Sequence, residues 1–153
     1  MTDELQGRGR RMGLTEEECL RRFGLRPAPE QLDEVRAVLD AETQRERQGQ
    51  GGGDTQVMRL CCFLLFRAGL IEDVPRIWRA KTSSMDADAS IDLQLLCGAG
   101  FERTKRYLRE LGSDEAEAAL RRLLTNEVSG ELDGFSVDEY AASQEAYYDG
   151  AEG

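Results

Sequence analysis

The sequence predicts an all-α fold, and three observations carry that prediction. Apolar residues recur at three- and four-residue intervals along nearly the whole chain, the spacing of one face of a helix. Alternating apolar and polar runs, the mark of a half-buried strand, are almost absent. Capping residues and glycines interrupt the stripes at helix-length intervals. At 153 residues the chain is the size of one domain and long enough to bury a core.

Thr15 and Glu18 stand at capping-box spacing and open a helix over 16–23 that Gly24 ends. A second helix begins at Pro29, a residue tolerated at the first helical position, and carries Leu32, Val35, Val38 and Leu39 on one stripe before turning polar. GQGGG at 49–53 has the composition of a flexible linker. Asp54 or Thr55 then caps a helix over 57–68 that is apolar nearly all round, apart from Arg59 and Arg67, and so belongs at the centre of the structure.

After Gly69, a helix over 74–81 places Val74, Ile77, Trp78 and Lys81 on one face. A polar stretch over 82–88 follows, and then a helical stripe of Ile91, Leu95 and Leu96 closed by Gly98 and Gly100. Phe101, Thr104, Leu108 and Leu111 form the inner stripe of the next helix, which Gly112 stops. Ala116, Leu120, Leu123 and Leu124 form that of the helix over 114–124. Ser136 and Glu139 make a second capping box, opening a last helix with Val137, Tyr140, Ala141 and Tyr148 on one face. That face is expected to cover Ala116, Leu120 and Leu124, with a frayed end over 150–153. The organisation that results is N-terminal helices over 1–48, the linker over 49–53, a helical core over 54–126 and an acidic C-terminal helix and tail over 127–153, together one domain.

The formal net charge of -10 is concentrated at one end. Residues 1–48 hold 11 acids and 9 bases and residues 49–122 hold 11 of each, whereas residues 123–153 hold 8 acids and no base. Phosphate backbones repel such a chain, so nucleic acid is not an expected partner; a basic protein is. The longest apolar run, 60–66, has seven residues against the ~20 that a membrane span needs. Arg8, Arg10 and Arg11 precede no apolar stretch of the kind a secretory leader requires. Cys19, Cys61, Cys62 and Cys97 show no C-x-x-C spacing and sit mostly in apolar segments, which predicts reduced core thiols and a cytoplasmic setting.

Residues 64–80, LLFRAGLIEDVPRIWRA, align with 95–111, LLCGAGFERTKRYLREL, at an offset of 31. The leucine pairs, both Ala-Gly turns and the apolar residue after each turn coincide. Over roughly 54–126 the chain resembles a tetratricopeptide repeat, whose period is ~34 residues and whose two helices are likewise joined by a short turn of small residues. The resemblance implies antiparallel helix pairs stacked side by side and a role in protein binding. The residues by themselves allow an irregular helical bundle equally.

The absence of histidine removes imidazole-based catalysis and imidazole-dependent zinc sites. Asp86, Asp88, Ser90 and Asp92 match positions 1, 3, 5 and 7 of a calcium loop, but Ile91 replaces the turn glycine and Cys97 the final glutamate, so capping is the expected role. The glycines at 49–53 are followed by Asp54 rather than the Gly-Lys-Ser/Thr of a phosphate loop. No catalytic residue, metal or cofactor is expected. Trp78, Arg79, Lys81, Ser84 and Asp86 cluster residue types found at protein contacts and form the expected partner-binding surface; the alternative is a core Trp78 on the helix stripe with Arg and Lys snorkelling around it. The function expected is a cytoplasmic protein-interaction adaptor, with a small acidic inhibitor such as a bacterial immunity protein blocking a basic toxin as the alternative and an enzyme third.

Overall fold

A computed structural model describes residues 13–152, with side chains through Asp149. Arg8, Arg10 and Arg11, and Gly153, lie outside the described residues. Among those described there are eight α-helices and no strand: α1 (Glu16–Phe23), α2 (Leu32–Gln48), α3 (Thr55–Ala68), α4 (Val74–Lys81), α5 (Met85–Ser90), α6 (Phe101–Leu111), α7 (Asp114–Ser129) and α8 (Val137–Glu152). Three-residue 3-10 turns at Pro29–Gln31 and Ile71–Asp73 lead into α2 and α4, and a longer one spans Leu93–Cys97. Among the described residues, no helix is long and apolar enough to cross a membrane.

Two of the caps formed as the sequence predicts. Thr15 and Glu18 close a reciprocal capping box on α1, and the Asp54 carboxylate accepts from the amides of Gln56 and Val57 at the start of α3. Each satisfies donors that a helix N-terminus otherwise leaves open. Every residue of α3 from Val57 to Phe66 except Arg59 is buried, so α3 is the axis of the structure, with α2, α1, α5 and the Leu93–Cys97 turn packed around it. Helices α6 and α7 form a neighbouring pair, tied by Lys105, whose Nζ lies 3.2 Å from Glu127 on α7.

Three local expectations change. The stretch expected to be polar loop holds α5, a six-residue helix that buries only Ala87 and is capped by Ser84. The stripe expected to be a helix around Ile91 and Leu96 is instead the 3-10 turn Leu93–Cys97. Gly98 fixes that geometry, because a Cβ there would lie 2.2 Å from the Phe66 carbonyl oxygen, too close for the turn to approach α3. Helix α7 also runs on to Ser129, beyond the expected 124, before Gly130 ends it.

A further change concerns the glycine segment 49–53, which connects α2 and α3 but is tied down. A Cβ on Gly53 would come within 2.4 Å of the Glu42 carbonyl oxygen, and the Gly51 and Gly53 amides donate to Glu46 Oε1 at 3.1 and 3.0 Å. Glycine serves here for close approach, not for mobility.

All four cysteines are free and fully buried, as core thiols should be. Burial pushes the Cys97 thiol up to about 12 and that of Cys62 higher still. A thiol reagent needs access to the sulfur as well as thiolate, and all four side chains are closed to solvent, so the native protein should resist a thiol reagent over minutes and release four equivalents once denatured. A rapid native reaction would place at least one thiol at the surface.

Candidate functional site

The segment singled out in sequence divides between core and surface. Trp78 is 6 % exposed and Lys81 is 4 % exposed, which corrects the expectation that they share an open patch with Arg79, Ser84 and Asp86. An eight-residue helix packed on both sides has too little outer face to display them: α4 meets α2 and α5, and its stripe turns Ile77, Trp78 and Lys81 inward. Arg79 is exposed and pairs with Glu115 at 3.0 Å, and Asp86 is exposed on α5.

Lys81 is a structural cation. Its Nζ donates to the carbonyl oxygens of Asp88 at 2.8 Å and Ile91 at 2.5 Å, and lies 3.0 Å from Asp88 Oδ1. Arg122 of α7 grips both Asp88 oxygens at 3.2 and 3.0 Å and places its guanidinium 5.3 Å from the centre of the Trp78 ring. Arg122, ahead of an opposing burial effect, and then Lys81 hold the Asp88 carboxyl below the usual carboxylate range. Lys81, Asp88 and Arg122 line a polar cleft of about 290 Å³ with Asp92, Asn126 and Glu131. The calcium-like acids are dispersed: Asp86 is exposed, Asp88 is taken by cations, and Asp92 accepts from Tyr140 at 2.7 Å.

Ser84 belongs to a second cluster that the sequence reading missed. Its hydroxyl donates to Glu46 Oε2 at 2.5 Å while accepting from the Ala87 amide. Glu46 is 1 % exposed, and Glu42 beside it, 3 % exposed, accepts from the Asp54 amide and pairs with Arg45. The signal was present: Leu39, Glu42, Thr43 and Glu46 continue the inner stripe of α2 at i, i+3, i+4 and i+7.

Burial alone would raise the Glu46 carboxyl, but the Ser84 hydroxyl and the Gly53 and Gly51 amides outweigh it and hold it low. A carboxyl depressed in the folded state stabilises above its unfolded value, about 4, and that contribution fades as pH falls through the folded value. Urea titrations should therefore show stability falling below about pH 4, with a shallower acid limb in Glu46→Gln. An identical limb in the variant would remove Glu46 from the acid response.

The C-terminal helix docks on α3. Tyr148 is fully buried and stacks on Phe63 at 5.7 Å, and Tyr140 meets Phe66 edge-on at 5.3 Å. The expected cover of Ala116, Leu120 and Leu124 is corrected accordingly: the Tyr140 and Tyr148 rings of α8 go to the aromatic face of the central helix. Cations edge this face. Arg26 and Arg67 both bind Glu145 Oε2, and Arg59 donates to Gln144 at 3.1 Å with its guanidinium 4.7 Å from the Tyr147 ring centre. Arg59 Nε and the Tyr148 hydroxyl are buried with no hydrogen-bond partner among the described residues. On the outer side of α8, Asp138, Glu139 and Asp149 are exposed and form no ion pair among the described residues.

No protein-family model matches the chain, and no curated protein or solved structure matches it either.

Proposed function

We propose that the chain is a non-catalytic protein-interaction module that takes a basic protein partner on the outer face of α8. One observation carries the reading. Residues 123–153 hold eight acids and no base, and α8 turns Tyr140 and Tyr148 inward while leaving Asp138, Glu139 and Asp149 outside and unpaired among the described residues. A single-sign face on a folded helix steers an oppositely charged partner and fixes its register. The tetratricopeptide-like stacking belongs to the same proposal, supported by Gly69 and Gly100, which align in the repeat and both adopt positive φ. Four unpaired thiols suit a reducing, cytoplasmic setting.

The same charge favours a second reading, an inhibitor that covers a basic enzyme. Capture from native cells followed by association kinetics separates the two. The captured protein should be basic, and its on-rate should fall at least tenfold between low salt and roughly 0.3 M salt and again in the Asp138→Asn, Glu139→Gln, Asp149→Asn variant. Loss of the partner's enzymatic activity on binding identifies an inhibitor, and retained activity an adaptor. A partner insensitive both to salt and to the triple variant would overturn the proposal.

A further inference from the structure

We propose that the face of α3 beneath α8 is a receptor for an acidic, aromatic helix of another protein, and that α8 fills it in cis until such a helix displaces it. The inference concerns the opposite side of α8 from the basic-partner reading and does not depend on it.

The chemistry of the receptor is set by what already lies in it. Its floor is the pair Phe63 and Phe66, whose ring centres are 6.2 Å apart. Its edges are Arg26, Arg59 and Arg67, three cations gathered from two parts of a chain whose net charge is -10. The segment that fits offers two tyrosines eight residues apart, about 12 Å along a helix at 1.5 Å per residue, and one carboxylate between them. Tyr140 and Tyr148 take the two aromatic positions, and Glu145 is shared by Arg26 and Arg67. A foreign helix with that pattern would meet the same floor and the same cations.

Two features mark the cis helix as separable. Buried polar groups are as a rule paired, yet Arg59 Nε and the Tyr148 hydroxyl face this interface buried and without a hydrogen-bond partner among the described residues. The chain between α7 and α8 is bracketed by Gly130 and Gly134 at φ +89° and +71°, left-handed positions where glycine moves more freely than other residues.

The probe is a fluorescein-labelled peptide of residues 135–149, read by anisotropy on the full chain. Apparent affinity is limited by the fraction of molecules whose receptor is open, so the full chain should bind weakly and Tyr148→Ala, which loosens the cis helix, at least tenfold more tightly. Adding Arg67→Glu to Tyr148→Ala should cost at least tenfold, and a scrambled peptide should not bind. Hydrogen exchange on the unmodified protein serves if Tyr148→Ala fails to fold. The amides of α8 should then exchange through an opening that leaves those of α3 protected. The proposal is overturned if the peptide binds no better than its scramble, if α8 and α3 exchange at one common rate, or if Tyr148→Ala forms a dimer that binds no peptide, which would give the receptor to a second copy's α8. Because the probe is acidic, these results are independent of whether a basic partner exists.

Discussion

Lys81→Ala should destabilise the chain by about 2–4 kcal/mol, the range for stripping a buried donor from its acceptors, with chemical denaturation as the measurement. The ammonium supplies hydrogens to two backbone carbonyls and faces the Asp88 carboxylate. Ile91 is itself fully buried, so water is a poor substitute for the lost donor. Asp88 keeps Arg122 and is about a third exposed, which holds the loss below that of a fully buried orphaned charge. Lys81→Met restores the apolar stem without the hydrogens, so the difference between the two variants separates packing from hydrogen bonding. Arg79→Ala, two residues earlier, should change stability by less than about 0.5 kcal/mol, because its pair with Glu115 is half exposed. Equal, small effects at both positions would show that Lys81 does not hold the α4–α5 junction.

That contrast shows where sequence patterning succeeds and where it stops. Helices with strong stripes and side-chain caps were legible: α1 from Thr15 and Glu18, α3 from Asp54 and its apolar run, α8 from Ser136. Helix α5 was not, because MDADAS has no stripe and its cap depends on Ser84, which is itself fixed by Glu46 from 38 residues away. The buried acids of α2 escaped for a related reason. A glutamate on an apolar stripe reads as the end of the stripe unless one knows which amides will meet it, and here those amides come from a glycine loop that reads as a linker.

The candidate site divides along the same line. Residue types in the Trp78 segment marked a real cluster, but direction is a tertiary property. The face of α4 that composition made attractive for a partner is the one that α5 and α7 cover. The aromatic stripe of α8 was readable from Val137, Tyr140, Ala141 and Tyr148, while its docking partner was not, since α3 and α7 both offer apolar faces.

Truncation after Gly134 should lower stability by about 3–5 kcal/mol and make the protein self-associate. The estimate rests on roughly 1.5–3 kcal/mol for a fully buried aromatic side chain, applied to Tyr148 with smaller parts for Tyr140, Val137 and Phe135, which are only partly buried. Against a total of about 5–15 kcal/mol for a domain, the truncated chain retains a fold with little margin. Its exposed surface would be the Phe63 and Phe66 face of α3, edged by Arg59 and Arg67 that have lost Gln144 and Glu145. A contiguous aromatic patch of that kind drives association, and removing residues 135–153 also strips five acids and no base, weakening the charge repulsion that opposes it. Light scattering on the truncated protein should report concentration-dependent oligomers, and its thermal midpoint should fall. A monomer that melts with the full-length chain would mean that α8 contributes nothing to the core. The buried position of Tyr148 would then have to be reassigned to packing that α3 does not need.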